Sequence, residues 1–234
     1  YQSSTGLTDN VVEAAGEGTD VVYSWARAYT LAANVEDLTL MGSSNINGTG
    51  NVLGNWITGN AGINTLIGGA GNDKLNGGLG RDVLKGGTGN DHYYIQDETG
   101  SRDTPDSVVE NGGEGADSVF SYIHSYTMTD NVENLQLLGD NAHHGTGNGL
   151  DNYMLGNGLD NRLEGGAGDD FISGGDGNDV IVGGAGADYM DGSNDADLYV
   201  FEGIGDLQGT TASEWDKIAL DPLQDDIDLS AIDA

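Results

Sequence analysis

Residues 68–94 read GGAGNDKLN, GGLGRDVLK, GGTGNDHYY, three nine-residue units in unbroken succession. Each has glycine at its first, second and fourth positions, aspartate at its sixth, and a large apolar residue, Leu75, Leu84 or Tyr93, at its eighth. Few patterns restrict a backbone so tightly. Glycines at fixed places permit positive φ and a tight turn whose carbonyl oxygens point inward. The last three residues of a unit read as a short strand with the eighth side chain directed to the interior. A nine-residue unit is too short to close a coil on itself, so two units make one coil and the turns alternate between two edges. Turns on the same edge then lie eighteen residues apart in sequence. Tandem units of this kind predict an all-β fold, a parallel β-helix or β-roll solenoid.

The same spacing predicts a metal site. A turn lined by carbonyls supplies half of a coordination shell, and the aspartate adds a charged oxygen. Carboxylate and carbonyl oxygens at flexible coordination number suit Ca2+ better than zinc or magnesium. In the first array the candidate ligand turns are Gly69 and Gly71 with Asp73, Gly78 and Gly80 with Asp82, and Gly87 and Gly89 with Asp91. The eighteen-residue register stacks Asp73 with Asp91 and Asp82 with Asn64, a cation lying between stacked turns.

Charge supports the same reading. Lys plus Arg number 7 against 39 Asp plus Glu, a net charge of -32, so no basic patch exists for nucleic acid or an anionic membrane. With 41 glycines and 36% hydrophobic residues, the metal-free chain carries a large entropy to lose and strong self-repulsion. Cations that neutralise the carboxylates convert binding energy into folding energy. There is no cysteine, hence no disulfide. No stretch approaches the about 18 apolar residues of a membrane span. The chain opens on Tyr1 without a signal peptide, which reads as a processed or excised piece.

Most of the chain is duplicated. Val11-Val12-Glu13 recurs as Val108-Val109-Glu110, Asn34-Val35-Glu36 as Asn131-Val132-Glu133, and Gly48-Thr49-Gly50-Asn51 as Gly145-Thr146-Gly147-Asn148, always 97 residues apart (108 − 11 = 97). The first copy opens on a degenerate unit, AGEGTDVVY at 15–23, and the second on a fuller nonapeptide, GGEGADSVF at 112–120. Strand-like runs follow, such as residues 21–25 and 35–41 in the first copy. The strict array comes next. In the second copy it starts at Gly147 and carries one unit more than the first. Its candidate ligands are Asn161, Gly166, Gly168, Asp170, Gly175, Gly177, Asp179, Gly184, Gly186, Asp188 and Asp197, pairing Asp170 with Asp188 and Asp179 with Asp197. Asn55, Asn64, Asn152 and Asn161 occupy the aspartate position with a neutral oxygen, which suits weak sites or turns closed by side-chain hydrogen bonds. We therefore expect a first module over 1–103, a second over 104–201, a break near 98–104, and a capping segment at 202–234 that covers the last coil.

These nonapeptides resemble the haemolysin-type calcium-binding repeats of RTX (repeats-in-toxin) proteins. The tail DKIALDPLQDDIDLSAIDA is similar to the segment that follows the repeats in serralysin-like proteases and in alginate epimerase repeat modules. The resemblance implies a right-handed parallel β-roll, export through a type I secretion channel as an unfolded chain, and folding outside the cell, in solution or at its surface, when calcium is met. The family's catalytic parts are absent: there is no HExxH motif, and His92, His124, His143 and His144 have no such spacing.

Other features have plainer readings. The pair His143-His144 suggests a transition-metal site but reads as a polar surface loop. Trp25, Trp56 and Trp215 suggest sugar stacking, yet inward or capping packing needs no ligand. Asp103, Asp106 and Glu110 as a glycosidase pair lack any fixed separation. The expected function is thus a non-catalytic calcium-binding module of a secreted protein. The alternatives are a carbohydrate-binding or adhesive module, marked by a row of exposed aromatic or basic residues on one sheet face, and the tail of a secreted hydrolase, lyase or epimerase.

Overall fold

A computed structural model describes residues 2–3, 11–96, 106–201, 216–220 and 224–229. Among them there is no helix, and the strand pairings are parallel. The chain divides into two compact units, Tyr1–Ser118 and Val119–Ala234.

In the first unit, β1 (Gln2–Ser3), β2 (Val21–Ser24), β4 (Asp37–Leu40), β6 (Trp56–Thr58), β8 (Lys74–Asn76) and β10 (His92–Ile95) line up in that order as one sheet. The odd-numbered strands β3 (Ala28–Thr30), β5 (Asn47–Thr49), β7 (Thr65–Ala70), β9 (Val83–Thr88) and β11 (Ser107–Val109) form the other. Each coil therefore gives one strand to each sheet, as a nine-residue half-coil requires. The register is eighteen residues inside the array: Ile57 lies beside Leu75 and Leu75 beside Tyr93. In the second unit the even strands are β12 (Ser118–Ser121), β14 (Asn134–Leu137), β16 (Tyr153–Leu155), β18 (Phe171–Gly175), β20 (Tyr189–Ser193) and β22 (Lys217–Ala219). The odd ones are β13 (Ser125–Thr127), β15 (His144–Thr146), β17 (Arg162–Ala167), β19 (Val180–Ala185), β21 (Leu198–Val200) and β23 (Asp226–Asp228).

The core of each unit is the space between its two sheets. Every eighth-position side chain faces it: Leu75, Leu84, Tyr93, Met154, Leu163, Ile172, Ile181, Met190 and Tyr199 are all 0% exposed. Each such burial contributes about 1.5–3 kcal/mol relative to an exposed side chain. The irregular stretches before each array are coils of the same solenoid. Residues 21–25 and 35–41 contain β2 and β4, as the β-branched pattern predicts, and β3 and β5 complete those coils. Coil length is less strict there: β2 to β4 is a step of 16 residues, Val21 beside Asp37.

One expectation is corrected. Trp25 and Trp56 are not packed inward; they are 37% and 50% exposed, and Trp56 holds the outward seventh position beneath the Lys74 ammonium, 5.4 Å from its ring centre. The seventh side chain precedes the inward one, so strand alternation turns it to solvent. Trp215, Asp103 and the 98–104 break lie outside the described residues.

Candidate metal centre

Two of the three glycines in each unit have the conformation the motif requires. Gly69 and Gly71 have φ of 118° and 103°, and the second and fourth glycines of the later units follow them: Gly78, Gly80, Gly87, Gly89, Gly166, Gly168, Gly175, Gly177, Gly184 and Gly186. They also let same-edge turns stack. A Cβ on Gly87 would collide with the carbonyl oxygen of Gly69, eighteen residues earlier.

The first glycine has a different role, and here the expectation that all three glycines supply positive φ is corrected. Gly68, Gly77 and Gly86 lie outside the positive-φ set. A Cβ on any of them would instead overlap Oδ2 of the aspartate of the same unit, Asp73, Asp82 or Asp91. Gly165, Gly174, Gly183 and Gly192 stand in the same relation to Asp170, Asp179, Asp188 and Asp197. The missing side chain is the space into which a carboxylate oxygen projects.

These aspartates form two buried ladders in each unit. Oδ1 of Asp73 accepts the backbone N–H of Asn55 at 2.7 Å, and Oδ1 of Asp91 accepts that of Asp73 at 2.7 Å. On the other edge Asp82 accepts from Asn64 at 2.7 Å. The second unit repeats the scheme: Asp170 accepts from Asn152, Asp188 from Asp170, Asp179 from Asn161 and Asp197 from Asp179, at 2.7–2.9 Å. All seven aspartates are at most 2% exposed. Each carboxylate thus spends one oxygen on locking the turn behind it. The other oxygen, Oδ2 of Asp73, Asp82, Asp91, Asp170, Asp179 and Asp197, is buried and has no hydrogen-bond partner.

Leaving a charged oxygen in that state is costly. Burial pushes the carboxyls of Asp73, Asp82, Asp170 and Asp179 up to about 7; the backbone N–H bond opposes it and the next aspartate of the ladder adds to it. Asp91 and Asp197 rise for the same leading reason. The ion pair of Arg162 with Glu164 does not include a ladder aspartate. A divalent cation accepted by the free oxygens and the turn carbonyls would restore the charged form, and a hard, oxygen-only donor set is that of Ca2+.

Asparagine closes the early steps differently. Oδ1 of Asn64 accepts from Asn60 N–H at 2.8 Å while its amide donates to the Ile46 carbonyl at 2.6 Å. Asn161 accepts from Asn157 N–H at 2.8 Å and donates to the Ala142 carbonyl at 3.2 Å. Sequence reasoning missed a second asparagine, at position two of these units. The Asn51 amide donates to the Ala32 and Val35 carbonyls at 2.8 and 2.7 Å, and its Oδ1 accepts from Leu53 N–H. Asn148 makes the equivalent bonds to Thr129 and Val132. An NH2 group aimed at two turn carbonyls does the work of a cation without one. The recurring GN dipeptide is the signal that could have revealed it.

Where the arrays end, the ladders continue on residues outside the unbroken arrays, and of these only Asp117 carries the full glycine pattern. Asp82 N–H donates to Asp106 and Asp91 N–H to Asp117, at 2.9 and 2.8 Å. Asp188 and Asp197 N–H donate to Asp216 and Asp225, at 2.9 and 3.1 Å. The last inward residue of each array is a tyrosine whose hydroxyl accepts a glycine N–H, Gly86 to Tyr93 at 2.6 Å and Gly192 to Tyr199 at 2.7 Å.

The surface pair His143-His144 gains a third member: the ring centres of both lie 5.1 Å from that of His124. A row of aromatics, which sequence inspection did not anticipate, runs along one sheet as Tyr153, Phe171 and Tyr189, stacked at 4.8 and 5.1 Å. Their ring faces cover one another, so this ladder stabilises cross-strand pairing and leaves few faces for a sugar.

The family model for the RTX calcium-binding nonapeptide repeat (4 copies) matches residues 49–84, 58–93, 146–181, 155–190 and 164–199, the stretches that carry the aspartate ladders. No curated protein matches the chain.

Proposed function

The chain being an RTX-type calcium-binding repeat protein that takes Ca2+ at multiple sites, we propose that it is a non-catalytic module of a secreted protein, switched from unfolded to folded by extracellular calcium. The ligands in this reading are Asp73, Asp82, Asp91, Asp170, Asp179, Asp188 and Asp197 with the carbonyls of their glycine turns, while Asn64 and Asn161 close the head of a stack by side-chain hydrogen bonds. One observation carries it: six buried aspartate oxygens in register without a hydrogen-bond partner. An array that keeps such charges inside its turns is unstable until cations arrive, and a ligand that binds only the folded state stabilises it in proportion to its logarithmic excess over Kd. Sites of the extracellular class, with Kd about 10⁻⁴–10⁻³ M, stay empty at cytosolic calcium. The chain would then remain unfolded for passage through a type I channel and fold outside. Two modules, 1–103 and 104–201, would do this in tandem, with 202–234 as a cap.

Small-angle scattering tests the switch. Metal-free at neutral pH, the chain should approach the radius of gyration of an unfolded polymer, about 53 Å for this length, and contract in millimolar calcium. A radius that is small without calcium and does not respond to it contradicts the reading.

A further inference from the structure

The first array ends at a cluster that the nonapeptide pattern does not contain. Asp91, the last aspartate of that array, Asp117, from the nonapeptide that opens the next copy, and Glu110, seven residues before Asp117, each place a carboxylate oxygen within 4.8 Å of the other two. They are 0%, 1% and 7% exposed. Asp117 is the next rung of the ladder, since its Oδ1 accepts the Asp91 N–H. Glu110 is not a rung. It comes from the stretch just after β11, and the Tyr93 hydroxyl, itself held by Gly86 N–H, donates to its Oε1. Asp91 Oδ2 belongs to the same neighbourhood: a Cβ on Gly86 would overlap both that oxygen and the Tyr93 hydroxyl. That oxygen is buried and has no hydrogen-bond partner.

We infer that Asp91, Glu110 and Asp117 form a three-carboxylate calcium site, distinct from the one-aspartate-per-turn sites, that fastens the 106–117 segment onto the end of the first array. The inference rests on the calcium reading above and adds a ligand, Glu110, that lies outside every nonapeptide. Three carboxylates on one ion give this site more charge than a single ladder aspartate supplies, and ligand charge raises calcium affinity. In the fold the segment is held by further bonds, Gly89 N–H to the Glu114 carbonyl at 2.7 Å and Ala116 N–H to Asn90 Oδ1 at 3.0 Å, which keep Glu110 beside the turn at 86–91. The first copy contains the same glutamate–aspartate pair as Glu13 and Asp20. There a hydrogen bond with Asp20 raises Glu13 to about 7, and Glu36 accepts the Asp20 N–H at 2.9 Å, but among the described residues these carboxylates do not gather within 4.8 Å as Asp91, Glu110 and Asp117 do.

The test is a count of bound calcium by isothermal titration on the whole chain, comparing it with Glu110→Gln and Glu13→Gln. The amide introduced by E110Q retains an oxygen for the Tyr93 hydroxyl, so the solenoid should still form at saturating calcium. The expected result is one ion fewer, or one ion at least tenfold weaker, for E110Q, and an unchanged count for E13Q. An E110Q titration identical to that of the unaltered chain overturns the site while leaving the ladder sites standing. Absence of calcium uptake by the unaltered chain overturns the calcium reading itself and this site with it. Should E110Q fail to fold, Tyr93→Phe decides: it keeps all three carboxylates but removes the hydroxyl that donates to Glu110, and one ion weakened severalfold supports the site where unchanged binding overturns it.

Discussion

Asp91 accepts the backbone N–H of Asp73 through Oδ1 at 2.7 Å and holds Oδ2 buried without a hydrogen-bond partner. One side chain thereby does two jobs. It fixes the register of turns eighteen residues apart, and it stores an unanswered charge that a cation can answer.

Separating those jobs is the purpose of Asp179→Asn. The amide oxygen can still accept the Asn161 N–H, but the charge is gone. In calcium the variant should be less stable by about 1–3 kcal/mol, with a calcium midpoint shifted upward. Metal-free at pH 8 it should be more stable than the parent, because a buried ionised group has been removed. Chemical denaturation under both conditions reads the two signs; the same sign in both contradicts this account.

Proton and calcium should compete. The carboxyls of Asp73, Asp82, Asp170 and Asp179 lie near 7 in the metal-free fold, against an ordinary value of 3.8. A group whose folded pKa is raised favours the fold fully below its unfolded pKa, and that advantage is lost as pH rises through the folded value. Metal-free protein should therefore gain β structure as pH falls from 8 to 5, while the calcium midpoint at pH 5.5 lies well above that at pH 7.5. Circular dichroism across that range checks both directions.

Gly68→Ala should cost an ion, not only stability. The added methyl overlaps Asp73 Oδ2, so we expect about 1–3 kcal/mol of overpacking together with a reduced calcium count. Gly16→Ala is the control. Its φ is +84° with nothing within 4 Å of the added carbon, so it should cost about 1 kcal/mol and leave the count unchanged.

Asn51→Ala removes the donor to the Ala32 and Val35 carbonyls and the acceptor for Leu53 N–H. A loss of about 2 kcal/mol is expected, similar at low and saturating calcium. A loss confined to calcium-loaded protein would mean that this turn holds an ion.

The two-strand coil, the eighteen-residue register and the inward eighth residue were legible because the nonapeptide is rigid: a period of nine with three glycines leaves the backbone few alternatives. Leu163 and Ile181 are neighbours in the sheet for that reason alone. What escaped depends on partners far away in sequence. The outward place of Trp56 follows from strand alternation and was overridden by a preference for burying aromatics. Asp106 extends its ladder across a step of 24 residues, and Asp216 and Asp225 across steps of 28, so no fixed period marks them; Asp117 sits in a full nonapeptide, but its step of 26 hides its place above Asp91. Glu110 carries no local sign of its role, which appears only when residues 106–117 fold back onto the turn at 86–91.

The measurement that bears most directly on the central claim is far-UV circular dichroism of metal-free chain titrated with calcium to the millimolar range at pH 7.5, with magnesium in parallel. A cooperative coil-to-β transition with calcium alone, its midpoint above cytosolic levels, is the predicted result. A spectrum already rich in β structure without metal, and unchanged by calcium, would contradict the claim and leave the asparagine and apolar ladders as what holds the solenoid together.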